Sequence, residues 1–253
     1  MILDHFKLEG KVAIVTGCST GLGQGMSLGL AEAGADIVGV DYVEAPDTEA
    51  GVKKLGRKFH GIACDLMSIA PVARIVKETV DTFGRLDVLV NNAGIIRREE
   101  AINFSEKDWD EVMNINVKTV FFLSQAAARQ FIRQNSGGKI INVASLLSFQ
   151  GGIRVPSYTA SKSGVMGITR LMANEWAKYN INVNAVAPGY MATNNTAPLR
   201  ADKKRSAEIL QRIPAGRWGL PEDMKGPVVF LASEASKYVT GYTVAVDGGW
   251  LAR

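Results

Sequence analysis

Tyr158 and Lys162 carry the two side chains best suited to move a proton. They stand four positions apart in Tyr158-Thr159-Ala160-Ser161-Lys162. The surrounding stretch, residues 157–179, has apolar spacing that predicts a helix. Positions i and i+4 share a helix face, so the phenol and the ammonium project the same way. Free tyrosine titrates at about 10, and a neighbouring cation favours its phenolate. A phenolate beside an alcohol takes the hydroxyl proton as hydride leaves carbon, which is general-base chemistry. A tyrosine and a lysine so spaced are common on surfaces, and a third residue gives the pair its weight. Ser145 follows a predicted strand, residues 139–143, where its hydroxyl can hold a substrate oxygen beside Tyr158. A strand-end serine is otherwise a turn or cap residue.

A second group of residues suits an anionic cofactor. Thr16-Gly17-Cys18-Ser19-Thr20-Gly21-Leu22-Gly23 follows a predicted strand, residues 11–16, and opens a predicted helix. Glycines let the backbone approach a pyrophosphate, and a helix N-terminus stabilises its charge. Asp41 closes the second predicted strand, residues 36–41. An acid there accepts hydrogen bonds from the adenosine ribose and repels a 2′-phosphate. Thr20 brings no positive charge to the turn, so both features favour NAD over NADP. Asp65 follows the third predicted strand, residues 59–64, and can hydrogen-bond adenine or serve as a turn residue. The same glycine turn also reads as GxSxG, the nucleophile elbow of α/β-hydrolases, with Ser19 as nucleophile. That mechanism needs a histidine late in the chain. His60 is the only histidine after Ser19, and it comes too early.

These groups need a frame that brings strand ends together. Further strands are predicted over residues 86–90, 182–186 and 243–246. Helical spacing occupies residues 68–83, with Ser68 as a candidate N-cap, and residues 105–114, 117–134 and 221–232. Strands alternating with helices predict an α/β fold: a doubly wound, Rossmann-type parallel sheet of about seven strands, helices on both faces, in a single domain over residues 1–253. Ligands then bind at the carboxyl ends of the strands. The longest irregular region, residues 188–201, contains Pro188, Gly189 and Pro198, and a substrate lid is expected over residues 188–217.

Composition narrows the partners. The 253 residues are 47% apolar, enough for a sizeable core, and no run is long enough to cross a membrane. The net charge of +4 is scattered among acids rather than gathered on one stripe, which argues against a nucleic-acid partner. Two cysteines and no CxxC exclude a disulfide framework and suit a reducing cytoplasm. Two histidines and no HExxH make a zinc site improbable and leave histidine-based acid–base catalysis almost nothing to use.

Taken together, the Thr16–Gly23 turn, Asn91-Asn92-Ala93-Gly94, Asn116, Ser145, the Tyr158–Lys162 segment and Pro188-Gly189 resemble the short-chain dehydrogenase/reductase family, in family order and over most of the chain. The resemblance implies a catalytic set of Asn116, Ser145, Tyr158 and Lys162. It implies that Asn116 holds a water in a proton relay through Lys162, and that Lys162 also binds the nicotinamide ribose. Asn91 to Gly94 are implied to steady the central sheet beside the cofactor, and Asn92, Ala93, Gly94, Leu66, Pro188, Gly189 and Thr193 to lie on the cofactor site. Spacing alone gives Asn116 no role, because a lone asparagine in a helix reads as solvated or as a kink.

Three segments sharpen the likeness: residues 96–99, 148–157 and 190–196. With the C-terminal Asp247-Gly248-Gly249-Trp250, they resemble those family members that oxidise a secondary alcohol on a deoxy sugar acid with NAD, in the breakdown of pectin-derived uronates. A neutral sugar, a polyol or a 3-oxoacyl thioester are the competing substrates, and a non-catalytic NAD-sensing protein is a further alternative. Relatives commonly assemble as homotetramers. Two long helical stretches, residues 117–134 and 157–179, carry more apolar residues than one buried face needs. A sugar-acid carboxylate calls for an arginine, which grips it through two parallel hydrogen bonds. Arg154 is the favoured candidate because its sequence neighbours are catalytic, ahead of Arg97 and Arg98. Gln150 is a candidate for sugar hydroxyls.

Overall fold

Val12–Thr16 (β1) is buried at all five positions. Burial of consecutive residues requires cover on both faces of the strand. That cover comes from helices packed on either side of one seven-stranded parallel sheet in the order β3-β2-β1-β4-β5-β6-β7. The computed structural model describes residues 1–253. After β1 come α1 (Gly21–Glu32), β2 (Asp36–Asp41), α2 (Pro46–Lys54), β3 (Phe59–Ala63), α3 (Val72–Phe83) and β4 (Val88–Asn91). The second half holds α4 (Glu106–Met113), α5 (Val120–Gln134), β5 (Gly138–Val143), α6 (Pro156–Trp176), β6 (Ile181–Pro188), α7 (Ala197–Ala201), α8 (Lys203–Arg212), α9 (Lys225–Ala232) and β7 (Thr243–Val246).

Alternation along β1 divides the core. Ala13 and Val15 face a layer closed by Met26 and Leu30 of α1 and Val228 and Leu231 of α9. Val12 and Ile14 face the opposite layer, closed by Ile75 of α3, Leu123 and Phe131 of α5, and Met172 of α6. The strand order reverses direction between β1 and β4. The loops after these two neighbours diverge to opposite faces, and the gap between them is where such sheets take ligands. No helix is long and apolar enough to cross a membrane.

Several element boundaries differ from the sequence reading for local reasons. Ser68 does not cap a helix: its hydroxyl closes a turn on the Ala70 amide, and α3 begins after Pro71. The helix expected over residues 221–232 is a 3₁₀ turn, Pro221–Met224, followed by α9. α2 escapes sequence reading because its mid-helix Gly51 and polar surface obscure the period. The lid region is less irregular than expected, since α7 and α8 lie within it.

Candidate active site

The glycine turn is shaped by backbone that no side chain can enter. Gly17 has φ +66, and a Cβ there would lie 2.9 Å from Asn92 Nδ2. A Cβ on Gly23 would lie 1.9 Å from the Gly17 carbonyl oxygen. Asn92 fastens the turn from β4's side, donating through Nδ2 to the carbonyls of Thr16 and Gly17. Thr16 Oγ1 returns the contact by accepting the amides of Asn92 and Ala93 at 3.0 and 2.9 Å. Thr20 occupies the N-cap position of α1 with its hydroxyl uncommitted to the helix. Leu22 follows in the first turn and packs against the core. The open amides of this turn at the head of a twelve-residue helix form a cradle for a pyrophosphate.

Asp41 is held at the end of β2. Its Oδ2 accepts the Ser19 amide at 2.9 Å and its Oδ1 the Tyr42 amide at 2.7 Å. The carboxylate is therefore fixed against the glycine turn, with further lone pairs free. Asp65 is exposed and accepts the Met67 amide at 2.8 Å, the geometry of a local turn. Leu66 is buried, and its carbonyl accepts Thr119 Oγ1. Gly189, after Pro188, has no room for a side chain: a Cβ would lie 2.7 Å from Asp247 Cα. Thr193 reaches the turn from the segment after β6, its Cγ2 3.5 Å from where a Gly21 Cβ would stand.

The catalytic candidates converge on the ends of β5 and α6. Ser145 caps a short 3₁₀ turn, Leu146–Ser148, and its Oγ accepts the Leu147 amide at 3.2 Å. Ser148, absent from the sequence reading, returns its hydroxyl to the Lys162 carbonyl at 2.6 Å and so ties the Ser145 turn to α6. Its signal was the spacing of two serines three apart, the pattern of a capping box. Lys162 is 5% exposed, and its Nζ donates to the Val143 carbonyl at 2.6 Å. That Nζ lies 5.6 Å from the centre of the Tyr158 ring, on the shared helix face expected of this spacing.

Burial pushes the Lys162 amine down to about 8. Burial also raises the Tyr158 phenol above its ordinary value, against the pull of the Ser145 hydroxyl and the Arg98 charge. Lowering the phenol therefore needs the positive nicotinamide of an oxidised cofactor beside Lys162, the combination expected from the sequence. The reason is that desolvation disfavours both charged forms at once.

Asn116 lies fully buried in a π-helical stretch, Asn114–Thr119, between α4 and α5. Its Oδ1 accepts the Ile95 amide at 2.9 Å, and its Nδ2 donates to the Ile95 carbonyl and to Ser161 Oγ. Gly94 makes room for it, since a Cβ there would lie 2.9 Å from Asn116 Oδ1.

The arginines separate clearly. Arg97 is engaged by Glu111 at 2.7 Å and Asp108 at 3.5 Å. Arg154, in the left-handed region with φ 63, lies 3.8 Å from Glu99. Arg98 has no acidic partner: its Nη2 donates to the Asn195 carbonyl at 3.3 Å, and its charge is felt at the Tyr158 phenol. The three candidates thus differ in their acid partners, which nearness to Tyr158 in the chain does not foretell. Gln150 meets two protein donors, Arg212 and Trp250.

Residues 17–251 match a family model described as enoyl-(acyl carrier protein) reductase. The chain is 71% identical over 253 residues to 2-dehydro-3-deoxy-D-gluconate 5-dehydrogenase of Escherichia coli strain K12, covering 100% of both chains. It is 70% identical, with the same coverage, to the enzyme of that name from Dickeya dadantii strain 3937. Among solved structures it matches a gluconate 5-dehydrogenase from Burkholderia cenocepacia J2315 in complex with NADP and tartrate. That match has a TM-score of 0.95 and 38% identity, covering 100% of each chain. With a glycine turn and a Ser145–Tyr158–Lys162 cluster at the carboxyl edge of a parallel sheet, the chain belongs to the short-chain dehydrogenase/reductase family.

Proposed function

We propose that this chain oxidises the C5 secondary hydroxyl of 2-dehydro-3-deoxy-D-gluconate to a ketone, with a nicotinamide dinucleotide as hydride acceptor. The identity of 71% along the whole of the E. coli relative carries the substrate reading. The convergence of Ser145, Tyr158 and Lys162 supports the chemistry. The glycine cradle fits the pyrophosphate of the cofactor, which supplies the acceptor for the hydride when bound. Ser145 Oγ holds the alcohol oxygen, and the Tyr158 oxygen takes its proton as hydride leaves C5. Lys162 stands behind the phenol and reaches the cofactor ribose. The Asn116 side chain makes three hydrogen bonds inside the protein and keeps one lone pair of Oδ1, so a relay water at this position is held by that oxygen or by backbone. Arg98 is the residue we assign to the substrate carboxylate, because it alone of the three arginine candidates lacks an acid partner.

The finer cofactor choice is NAD. Its support is the Asp41 carboxylate, held in place by two amides where a 2′-phosphate would approach. The Burkholderia relative was solved with NADP, so the choice rests on Asp41 itself. A homotetramer is the assembly we propose. Ile132 at the end of α5 and Leu171 on α6 are 42% and 48% exposed, surface that pairing of like helices would cover. We also propose that residues 188–217 serve as the substrate lid of a single domain.

The decisive experiment is to supply 2-dehydro-3-deoxy-D-gluconate and NAD and follow reduced nicotinamide by absorbance, with the product identified as the 5-ketone. Turnover of neutral polyols or 3-oxoacyl thioesters in preference to the sugar acid would overturn the substrate reading.

A further inference from the structure

Two arginines tie the lid to loops at the sheet edge. Arg98, on the loop after β4, donates to the carbonyl of Asn195. Arg212, the last residue of α8, donates through Nη2 to Gln150 Oε1 at 3.4 Å. Both loops lead from strand ends toward Tyr158. The second tie has a consequence for recognition.

Gln150 Oε1 also accepts Trp250 Nε1 at 3.3 Å. An amide oxygen has two lone pairs, and both are now used. Arg212 cannot swing away freely, because its guanidinium lies over the Trp250 ring, with Cζ 4.0 Å from the centroid. Trp250 is itself 4% exposed and packs with Leu146, Ile209 and Ile213. Leu146 is the residue next to Ser145. The amide of Gln150 is therefore held in one of its two flips: the oxygen faces Arg212 and Trp250, and Nε2 is the free end. No acceptor within the chain takes that Nε2, and Arg212 pairs with no carboxylate. What Gln150 offers a ligand is therefore the Nε2 donor, with no lone pair of Oε1 left to accept.

We propose that Gln150, oriented by Arg212 and Trp250, is a specificity-determining residue that donates to the C2 carbonyl oxygen of a 2-oxo sugar acid and disfavours the corresponding 2-hydroxy acid. The inference rests on the functional reading above and refines it. A carbonyl oxygen only accepts, which matches that donor. A C2 hydroxyl in the same place also accepts, but its own proton is left without a partner, because Gln150 Oε1 is already saturated. A polar hydrogen desolvated without an acceptor costs about 1–3 kcal/mol, roughly tenfold or more in affinity. Arg212 and Trp250 act through Gln150 and are positioning residues.

The test compares kcat/KM for 2-dehydro-3-deoxy-D-gluconate with kcat/KM for 3-deoxy-D-gluconate, the 2-hydroxy acid that differs from it only at C2, in wild type and in Gln150→Glu. That substitution keeps an oxygen for Arg212 and Trp250 and replaces the free donor with an acceptor. Its added charge acts on both acids alike, so the ratio isolates the C2 contact. The preference for the 2-oxo acid should fall by roughly tenfold, carried in KM. Trp250→Phe keeps the ring in its packing but removes Nε1–H and frees the amide to turn, so the ratio should fall by a smaller factor. It serves also if Gln150→Glu fails to fold. An unchanged ratio in folded Gln150→Glu and Trp250→Phe overturns the assignment of Gln150 while leaving the functional reading intact. Failure of wild type to oxidise the 2-oxo acid at all overturns the functional reading, and this inference with it.

Discussion

Lys162 Nζ donates to the carbonyl oxygen of Val143 at 2.6 Å, and no carboxylate shares the pocket with it. A lysine so placed is charged only at a cost, and its amine sits at about 8. The Tyr158 phenol is raised by burial as well. Burial works against the charged form of both groups in the free protein, and a cofactor bearing positive charge would favour the phenolate. Tyrosinate absorbance at about pH 9 should therefore increase on saturation with oxidised cofactor, above the background of the other five tyrosines, and Tyr158→Phe should abolish that increase. A tyrosinate signal of equal size without cofactor would contradict this coupling.

Oxidation should rise with pH to an alkaline plateau, because the working form is the phenolate. Tyr158→Phe should lower kcat by about a thousandfold, within the usual range for loss of a general base, while cofactor affinity holds. Lys162→Ala should lose both rate and cofactor affinity. With hydride transfer shown to limit the rate by an isotope effect, a flat profile from about pH 5 to about pH 9 would eliminate the phenolate mechanism.

Asp41 accepts the Ser19 amide from the turn that cradles the pyrophosphate. On the proposed NAD reading, cofactor selectivity and turn geometry run through one side chain. Wild type should prefer NAD, and Asp41→Ala should narrow that preference while also weakening NAD, since the Ser19 amide loses its acceptor. Asp41→Asn keeps an acceptor for that amide and removes the charge, so it should improve NADP with less damage to NAD. Equal kcat/KM for both cofactors in wild type would show that Asp41 does not govern the choice.

Lys139 is a second buried lysine, far from the chemistry at the opposite end of β5. Its Nζ donates to Asn182 Oδ1 at 2.7 Å. Burial lowers its amine to about 8, partly offset by Glu234. The folded protein releases this proton more readily than the unfolded chain does. Stability then carries a penalty at neutral pH that is relieved as pH rises from about 8 toward the unfolded lysine value of about 10.4. Lys139→Met should raise the thermal midpoint at neutral pH, and its advantage over wild type should shrink as pH rises through that window. A constant difference between the two proteins across the window would show that Lys139 is not the source.

The fold was legible because its signals are local and repeated. β2 and β7 run over the residues expected, and the glycine turn, Asp41 and the Tyr158–Lys162 pair all fall at the carboxyl edge. What was not legible depends on distant pairing. Nothing near Arg154 in sequence announces that Glu99 lies opposite it. Nothing near Gln150 announces Trp250, one hundred residues later. Asn116 lacked a signal of its own because its partners, Ile95 and Ser161, come from different elements. The π-helical stretch that carries it falls at the break between the predicted helices 105–114 and 117–134, and a break in period names no role.

The arginines give the sharpest contrast between sequence proximity and spatial position. Arg154 is four residues from Tyr158 in the chain, yet its guanidinium is 57% exposed and faces Glu99. Arg97 is committed to Glu111 and Asp108. Arg98 comes from a different strand's loop, and its charge reaches the phenol. It also joins the lid through Asn195, so an acid bound at Arg98 would engage the residue that fastens the lid. Arg98→Ala should raise KM for the sugar acid by roughly tenfold or more, in the range of a charge-assisted hydrogen bond, and affect a neutral polyol far less. Because the positive charge at Arg98 favours the phenolate, the alkaline limb of the pH profile should also move upward in that variant. Arg98→Lys should restore the pH profile better than it restores KM, since lysine keeps the charge but not the two-pronged grip. Arg97→Ala and Arg154→Ala should leave the acid-to-polyol ratio near that of wild type. If Arg154→Ala instead lowers that ratio and Arg98→Ala does not, the carboxylate is read from the loop before α6, and the assignment to Arg98 is mistaken.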